Sequence, residues 1–305
     1  MKQLQQTLRK SYSFEGKGLH TGKIARLTIN PAPVDTGILF RRTDVSKDLY
    51  IEALAEYVSS TDRSTTLTKD GVSVVTVEHL LSSLTGMGID NAVIDLDNVE
   101  VPILDGSAKP YIDAIWESGI VGQDAPRKYI ELDHEITVSS EKTGSSIVIT
   151  PSDTPSFDVK IDFNSKVLGL QNAHWDPSLE YVKEVGVCRT FVFFHEIEYL
   201  FKNNLIKGGD VENAIVIVEH PVSKDQLEYM SKLFNVPMLE RCENGYLNNL
   251  RLRFPNECAR HKLLDLIGDF RLVGGFLKAD VKAVRSGHTI NTNAAKEIRK
   301  QLFSK

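Results

Sequence analysis

The 305 residues carry 36 lysines and arginines against 41 aspartates and glutamates, a formal charge of −5, with 41% hydrophobic and 25% charged side chains. That ordinary composition argues against a disordered, collagenous or coiled-coil chain. The acidic balance leaves no general electrostatic reason to bind nucleic acid or an anionic membrane, and no apolar run approaches the ~18 residues of a membrane span.

The length suggests two domains of ~150 residues. Three cysteines (Cys188, Cys242, Cys258) without CxxC spacing argue against a disulfide framework and against an all-cysteine zinc site. The opening MKQLQQTLRKSYSF lacks the apolar core of a signal peptide. A cytoplasmic protein is expected.

In chain order, residues 24–30 alternate as a strand before the Pro31-Ala32-Pro33 break, and Val72–Val75 form a short apolar run. A helix is predicted from Thr76, which would cap it, through Leu84 to Gly86. A strand follows at Asn91–Leu96. Asp105-Gly106-Ser107 reads as a turn into a helix at about Pro110–Ser118. The polar Gly119–Lys128 stretch reads as a linker between residues 1–124 and 128–305.

The second half begins with strand-like alternation at Lys128–Val138, then Ser146–Thr150, Phe157–Phe163 and Arg189–Phe194. A helix is predicted over Glu196–Asn203, with Lys207-Gly208-Gly209-Asp210 as a loop and Asn213–Val218 as a buried strand. Residues 221–250 look like an inserted helical and loop segment. A helix over Glu257–Phe270, a strand over Phe276–Val284 and a last helix over Thr292–Leu302 complete the chain.

The chemistry concentrates in two short motifs. In His261-Lys262-Leu263-Leu264-Asp265, helical positions i and i+4 share one face, so His261 and Asp265 can hold one ion while Leu263, Leu264, Leu266 and Ile267 fill the buried face. Glu78-His79 adds a second imidazole and a spare carboxylate, the minimum set for a zinc-activated water with a base beside it. Asp269, one turn beyond Asp265, suits a carboxylate that orients an imidazole. His288, after the strand ending at Val284, can protonate a leaving amine or stabilise an oxyanion. Taken singly, each has a plainer reading as a surface pair, a packed histidine or a loop histidine. EHLLSSLTGMGIDNAVIDL and RHKLLDLIGDF echo each other, each with a histidine at the head of an apolar helix. Two related α+β halves sharing a cleft would explain the echo.

Taken together, TVEHLLSSLTGMGIDN, EVPILDGSA, RTF, KGGDVENAIV, NECARHKLLDLIGD and SGHTIN resemble the zinc-dependent UDP-3-O-acyl-N-acetylglucosamine deacetylases. The likeness runs from Gly16-Lys17-Gly18-Leu19-His20 to the last helix. It implies an α+β fold of two similar domains, each a small β-sheet layered against a helix pair, with the active site between them. It implies hydrolysis of the N-acetyl group of a UDP-linked acylated amino sugar, the committed step of lipid A synthesis in Gram-negative bacteria. The same likeness gives His79, His261 and Asp265 as zinc ligands, with iron(II) an alternative in such a site. Glu78 would be the general base, His288 a protonated group held by Asp269, and Thr190 a donor to the oxyanion. Lys262 would meet the polar headgroup, Phe191 would pack on the sugar, and Arg285 would supply a further cation. An inserted βαβ element near 193–218, with Ile197, Leu200 and Ile206 as walls, would house the acyl chain.

Residues 221–250 are longer than the compact connection of most such enzymes and resemble the branch fused to a hydroxyacyl dehydratase. No dehydratase-like stretch lies within the 305 residues. The chain is therefore expected to be either a separated piece or a free-standing relative, a monomer alone and an oligomer if fused. Asp210 after its glycine pair leaves acyl length open. A non-catalytic binding module, and a zinc amidohydrolase for another N-acetylated substrate, are the competing readings.

Overall fold

The computed structural model describes residues 3–197, 213–234 and 236–303. The chain opens with β1 (Leu4–Leu8) and builds a first sheet from β2 (Tyr12–Lys17), β3 (Ile24–Pro31), β4 (Ile38–Arg42) and β5 (Tyr50–Glu52). A three-stranded meander follows, β6 (Val58–Ser60), β7 (Thr66–Lys69) and β8 (Val72–Val75), then helix α1 (Glu78–Gly86). Strand β9 (Ala92–Leu96) enters the middle of the first sheet, whose order is β2-β3-β9-β4-β5, and α2 (Lys109–Ser118) follows it.

The sequence expectation for the next stretch fails. Residues Ile120–Pro126 are not a linker but β10, hydrogen-bonded antiparallel to β1. The alternation that marks it is weak and its glycine and proline look like loop signals. The long-range partner at the other end of the half supplies the ladder that the local sequence does not advertise.

The second half repeats the plan of the first. After β11 (Tyr129–Glu131), β12 (Ile136–Ser140), β13 (Ser145–Pro151), β14 (Ser156–Ile161) and β15 (Gln171–Trp175) come β16 (Phe191–Phe193) and β17 (Ile215–Ile217). Then follow α3 (Lys224–Phe234), α4 (Glu257–Phe270), β18 (Phe276–Val284) and α5 (His288–Phe303). The second sheet runs β12-β13-β18-β14-β15, with β11 added alongside β18. In both sheets the central strand is antiparallel to one neighbour and parallel to the other: β9 to β3 and β4, β18 to β13 and β14. In both, a histidine-bearing helix precedes that central strand and another helix follows it. The echo between the two histidine segments is therefore a repeat of topology, as an α+β fold of two similar halves requires.

The sheets carry the alternation that buries one face. Ala25, Leu27 and Ile29 of β3 and Leu277, Ala279, Val281 and Ala283 of β18 are buried. Helix α4 lies on β14 and β15, α5 on β12 and β13, and α1 packs directly against α4. Leu80, Leu81, Leu84, Leu263, Leu264 and Leu266 have no exposed surface, and each such leucine contributes about 1.5–3 kcal/mol relative to a solvated one. Burial on α4 is nearly all-round, reaching His261, Asp265 and Asp269 as well as the leucines. The polar face expected from sequence is thus also an interior face.

The predicted helix Glu196–Asn203 and the Lys207-Gly208-Gly209-Asp210 loop, with Leu200 and Ile206, lie mostly or wholly outside the described residues. What is described of that insert is the parallel pair β16-β17 and the buried Ile197. The pair has two occupied faces. Phe191, Phe193, Ile215 and Ile217 join the main core, while Phe194, Val216 and Val218 form a second cluster with Leu227 and Met230 of α3 and with Leu239 and Leu247. Much of the long 221–250 segment is accordingly the cover for the outer face of this pair.

Candidate metal centre

Two helices from opposite halves meet so closely that side-chain space disappears between them. A Cβ on Gly268 would lie 2.1 Å from the backbone oxygen of Glu78, and Ser82 Oγ donates to the Leu264 carbonyl at 2.7 Å. This approach brings the N-terminus of α1, bearing Glu78 and His79, beside the middle turns of α4. Thr76 does not cap α1 as expected. It stands at φ 61°, its hydroxyl donates to Glu100 Oε1 at 3.1 Å, and the cap position falls to Val77.

His79, His261 and Asp265 come together with one ligand atom from each within 4.8 Å of the others. Asp265 Oδ1 lies 3.5 Å from His79 Nε2 and 3.4 Å from His261 Nε2. It is buried and has no hydrogen-bond partner, a costly state for a carboxylate oxygen unless a cation occupies the space between it and the rings. His261 Nδ1 donates to the Cys188 carbonyl at 3.1 Å, which fixes the tautomer and turns the Nε2 lone pair toward Asp265. Burial, partly opposed by the Asp265 charge, pushes the His261 imidazole down to about 3, so it is a neutral nitrogen donor. Burial alone would raise Asp265; its neighbours, His261 and the Lys262 ammonium, reverse this and hold it well below the usual carboxylate range. These donors fit a divalent ion of the zinc type.

Around the cluster stand a carboxylate and an imidazole. Glu78 Oε2 accepts from the Thr65 amide at 3.0 Å, and its Oε1 lies 3.9 Å from His288 Nε2. Burial raises the Glu78 carboxyl, opposed chiefly by the His288 charge. His288 Nδ1 donates to Asp269 Oδ2 at 2.9 Å, leaving Nε2 pointing toward Glu78 and, at 3.9 Å, Asp265 Oδ2. Burial disfavours a charged His288, but Asp269 and Glu78 outweigh it and raise the ring to about 9. His288 is the first residue of α5 rather than part of a loop before it.

Two supporting residues carry no local sequence signal. Thr65 Oγ1 donates to Asp269 Oδ1 at 2.6 Å and Asn291 Nδ2 to Asp269 Oδ2 at 3.0 Å. They lie 204 and 22 positions from Asp269, and only the fold joins the first of them to it.

The remaining expected residues are placed less uniformly. Phe191 lies 6.4 Å from the His261 ring, edge-on, and 5.4 Å from Phe163, making an aromatic wall beside the cluster. Lys262 Nζ donates to Asp265 Oδ2 at 2.7 Å and sits 5.6 Å from the Phe191 centroid; in this state it serves the carboxylate. Thr190 is pinned through its backbone, its N–H to the Gly106 carbonyl and its carbonyl to the Ile215 N–H, both at 2.8 Å. Arg285 reaches away, its guanidinium paired with Asp162 at 2.5 Å.

The molecule is thus a duplicated α+β protein with a buried two-histidine, one-carboxylate cluster flanked by a glutamate and a histidine. A family model described as "LpxC: UDP-3-O-acyl N-acetylglycosamine deacetylase" matches residues 5–235 and 238–300. The chain belongs to that family. It is 41% identical over 300 residues to a "Bifunctional enzyme LpxC/FabZ" of Porphyromonas gingivalis, covering 98% of this chain and 65% of that one. A protein of the same description from Bacteroides thetaiotaomicron is 42% identical over 298 residues, again covering 98% and 65%. A "UDP-3-O-acyl-N-acetylglucosamine deacetylase" of Pseudomonas entomophila is 42% identical over 297 residues, 96% of this chain and 89% of the relative. The chain therefore spans just under two thirds of the bifunctional relatives and 89% of the Pseudomonas entomophila one. Among the described residues, no helix is long and apolar enough to cross a membrane.

Proposed function

We propose that this protein hydrolyses the N-acetyl group of UDP-3-O-(3-hydroxyacyl)-N-acetylglucosamine, releasing acetate and the free amine, the committed step of lipid A biosynthesis. The observation that carries the reading is Asp265 Oδ1, buried without a partner 3.4 and 3.5 Å from two imidazole nitrogens, in a chain of the deacetylase family. His79, His261 and Asp265 would hold zinc, or iron(II). When bound, the ion would polarise the acetamide carbonyl and lower the pKa of water towards ~7.

The chain's own groups then divide the proton work. Glu78 takes the proton from the attacking water, whose oxygen adds to the acetamide carbon. Its raised pKa makes the carboxylate a stronger base than an exposed glutamate. His288 enters protonated, with Asp269 holding Nδ1 so that Nε2 faces the reaction. As the C–N bond breaks it gives that proton to the departing amine. Thr190 would donate to the oxyanion and Phe191 would offer the sugar an apolar face. Lys262 would stay on Asp265 or turn to the anionic headgroup, and Arg285 would reach that headgroup only by leaving Asp162. The β16-β17 insert would house the acyl chain.

The deciding experiment is acetate release from the acylated nucleotide sugar by metal-analysed protein, before and after chelation. Turnover that follows one equivalent of metal is expected. Metal-loaded protein that leaves this substrate untouched but deacetylates one lacking the 3-O-acyl chain would replace the substrate while keeping the reaction.

A further inference from the structure

Another buried carboxylate, Glu100, lies outside the candidate metal cluster and in no ion pair among the described residues. Glu100 is 1% exposed. Its Oε1 accepts from the His20 amide at 2.9 Å and from Thr76 Oγ1 at 3.1 Å, and its Oε2 accepts from the Thr21 amide at 2.8 Å. The loop supplying those amides is moulded to it. A Cβ on Gly18 would lie 2.3 Å from Glu100 Oε2, and the turn closes through Gly22 N–H to the Gly18 carbonyl at 3.0 Å.

The backbone on either side of Glu100 clamps the other segment. Val75 N–H donates to the Val99 carbonyl at 2.9 Å and Val101 N–H to the Val75 carbonyl at 3.0 Å. Thr76 follows at φ 61°, a left-handed conformation that costs a β-branched residue on the order of 1–3 kcal/mol and persists only where neighbours over-determine it. Two residues later come Glu78 and His79. On the loop side, His20 carries a buried Nε2 without a partner. One carboxylate therefore grips the segment that launches Glu78 and His79, and also the loop that carries His20.

We propose that Glu100 is a positioning residue that ties the Gly18–Thr21 loop to the strained turn at Thr76 and so fixes where Glu78 and His79 stand. The inference deepens the deacetylase reading and rests on it for its activity readout. A glutamine at this position keeps the shape but sets an NH2 against one of three donors, loosening the turn without touching substrate or metal.

The test compares Glu100→Gln and Thr76→Val with the unchanged chain, metal-loaded, at a temperature where each is fully folded. In each variant kcat should fall on the order of 10- to 100-fold with KM within about twofold. In Glu100→Gln, zinc affinity measured by chelator competition should fall too, because His79 shares the displaced turn. A kcat per folded chain and a zinc affinity both within about twofold of the unchanged protein would overturn the proposal, even if the melting temperature drops. Should Glu100→Gln fail to fold, Thr76→Val, which leaves the carboxylate in place, decides on kcat and KM. Absence of turnover by the unchanged chain would defeat the deacetylase reading instead, and chelator competition would then decide the role of Glu100.

Discussion

Lys262 Nζ lies 2.7 Å from Asp265 Oδ2, which leaves Oδ1 of the same carboxylate for the space between His79 and His261. The two oxygens have separate tasks, one held by a cation of the chain and the other free for a cation from solution. Lys262→Met should therefore weaken metal affinity on the order of 10-fold, as loss of a partner behind a ligand does. Chelator competition measures this directly. A rise in KM for the nucleotide sugar with unchanged metal affinity would assign Lys262 to the headgroup instead.

Removing Glu78, the proposed base, should separate metal from turnover. Glu78→Gln is expected to keep one equivalent of metal while kcat drops on the order of 10²- to 10⁴-fold. Metal analysis and acetate release on the same sample check it. Activity near that of the unchanged chain would end the assignment of Glu78 as base.

The His288–Asp269 pair predicts the alkaline side of the pH profile. If His288 acts protonated, as proposed, its pKa, raised to about 9, means that kcat/KM should hold through neutral pH and fall as pH passes about 9. Asp269→Asn removes the charge that chiefly sustains the raised pKa, and the descending limb should move to lower pH. The stability sign agrees. A histidine whose folded pKa exceeds the ordinary 6.5 contributes stability fully present below about 6.5 and lost as pH rises through about 9. A descending limb that stays in place in Asp269→Asn would remove His288 as its source.

The contact of Gly268 with Glu78 tolerates no side chain. Gly268→Ala would force α1 and α4 apart, at about 1–3 kcal/mol for a strained insertion into a packed interior, and should lower the thermal midpoint and metal affinity together. An alanine variant with both unchanged would mean that the helices slide without consequence.

The candidate metal cluster is legible in the sequence because its residues are local. His261 and Asp265 are one turn apart, Asp269 continues the same face, and Glu78 adjoins His79. What could not be read depends on groups brought from far away or on groups every residue has. Thr65 reaches Asp269 across 204 positions, and the Cys188 contribution to His261 is a backbone carbonyl. Thr76 looked like a helix cap, and its hydroxyl goes instead to a glutamate 24 positions on. Strand β10 was hidden for the same reason: its partner β1 lies at the other end of the half. The helices that start at Glu78 and Glu257 and the central strands Ala92–Leu96 and Phe276–Val284, with their strong periodicity, needed no such partner to be recognised.

The site is divided between two copies of one topology, with contacts such as Ser82 to Leu264 closing 182 positions of chain. A single ion held by His79, His261 and Asp265 would act as a reversible cross-link between the copies. The unfolded chain scatters these three groups and binds the ion poorly, so mass action makes metal concentration a thermodynamic brake on separation of the halves. Scarcity of the ion would then remove more than turnover: it would shift the balance toward chains whose two histidine helices have come apart, and so tie the lifetime of the protein to the supply of the metal.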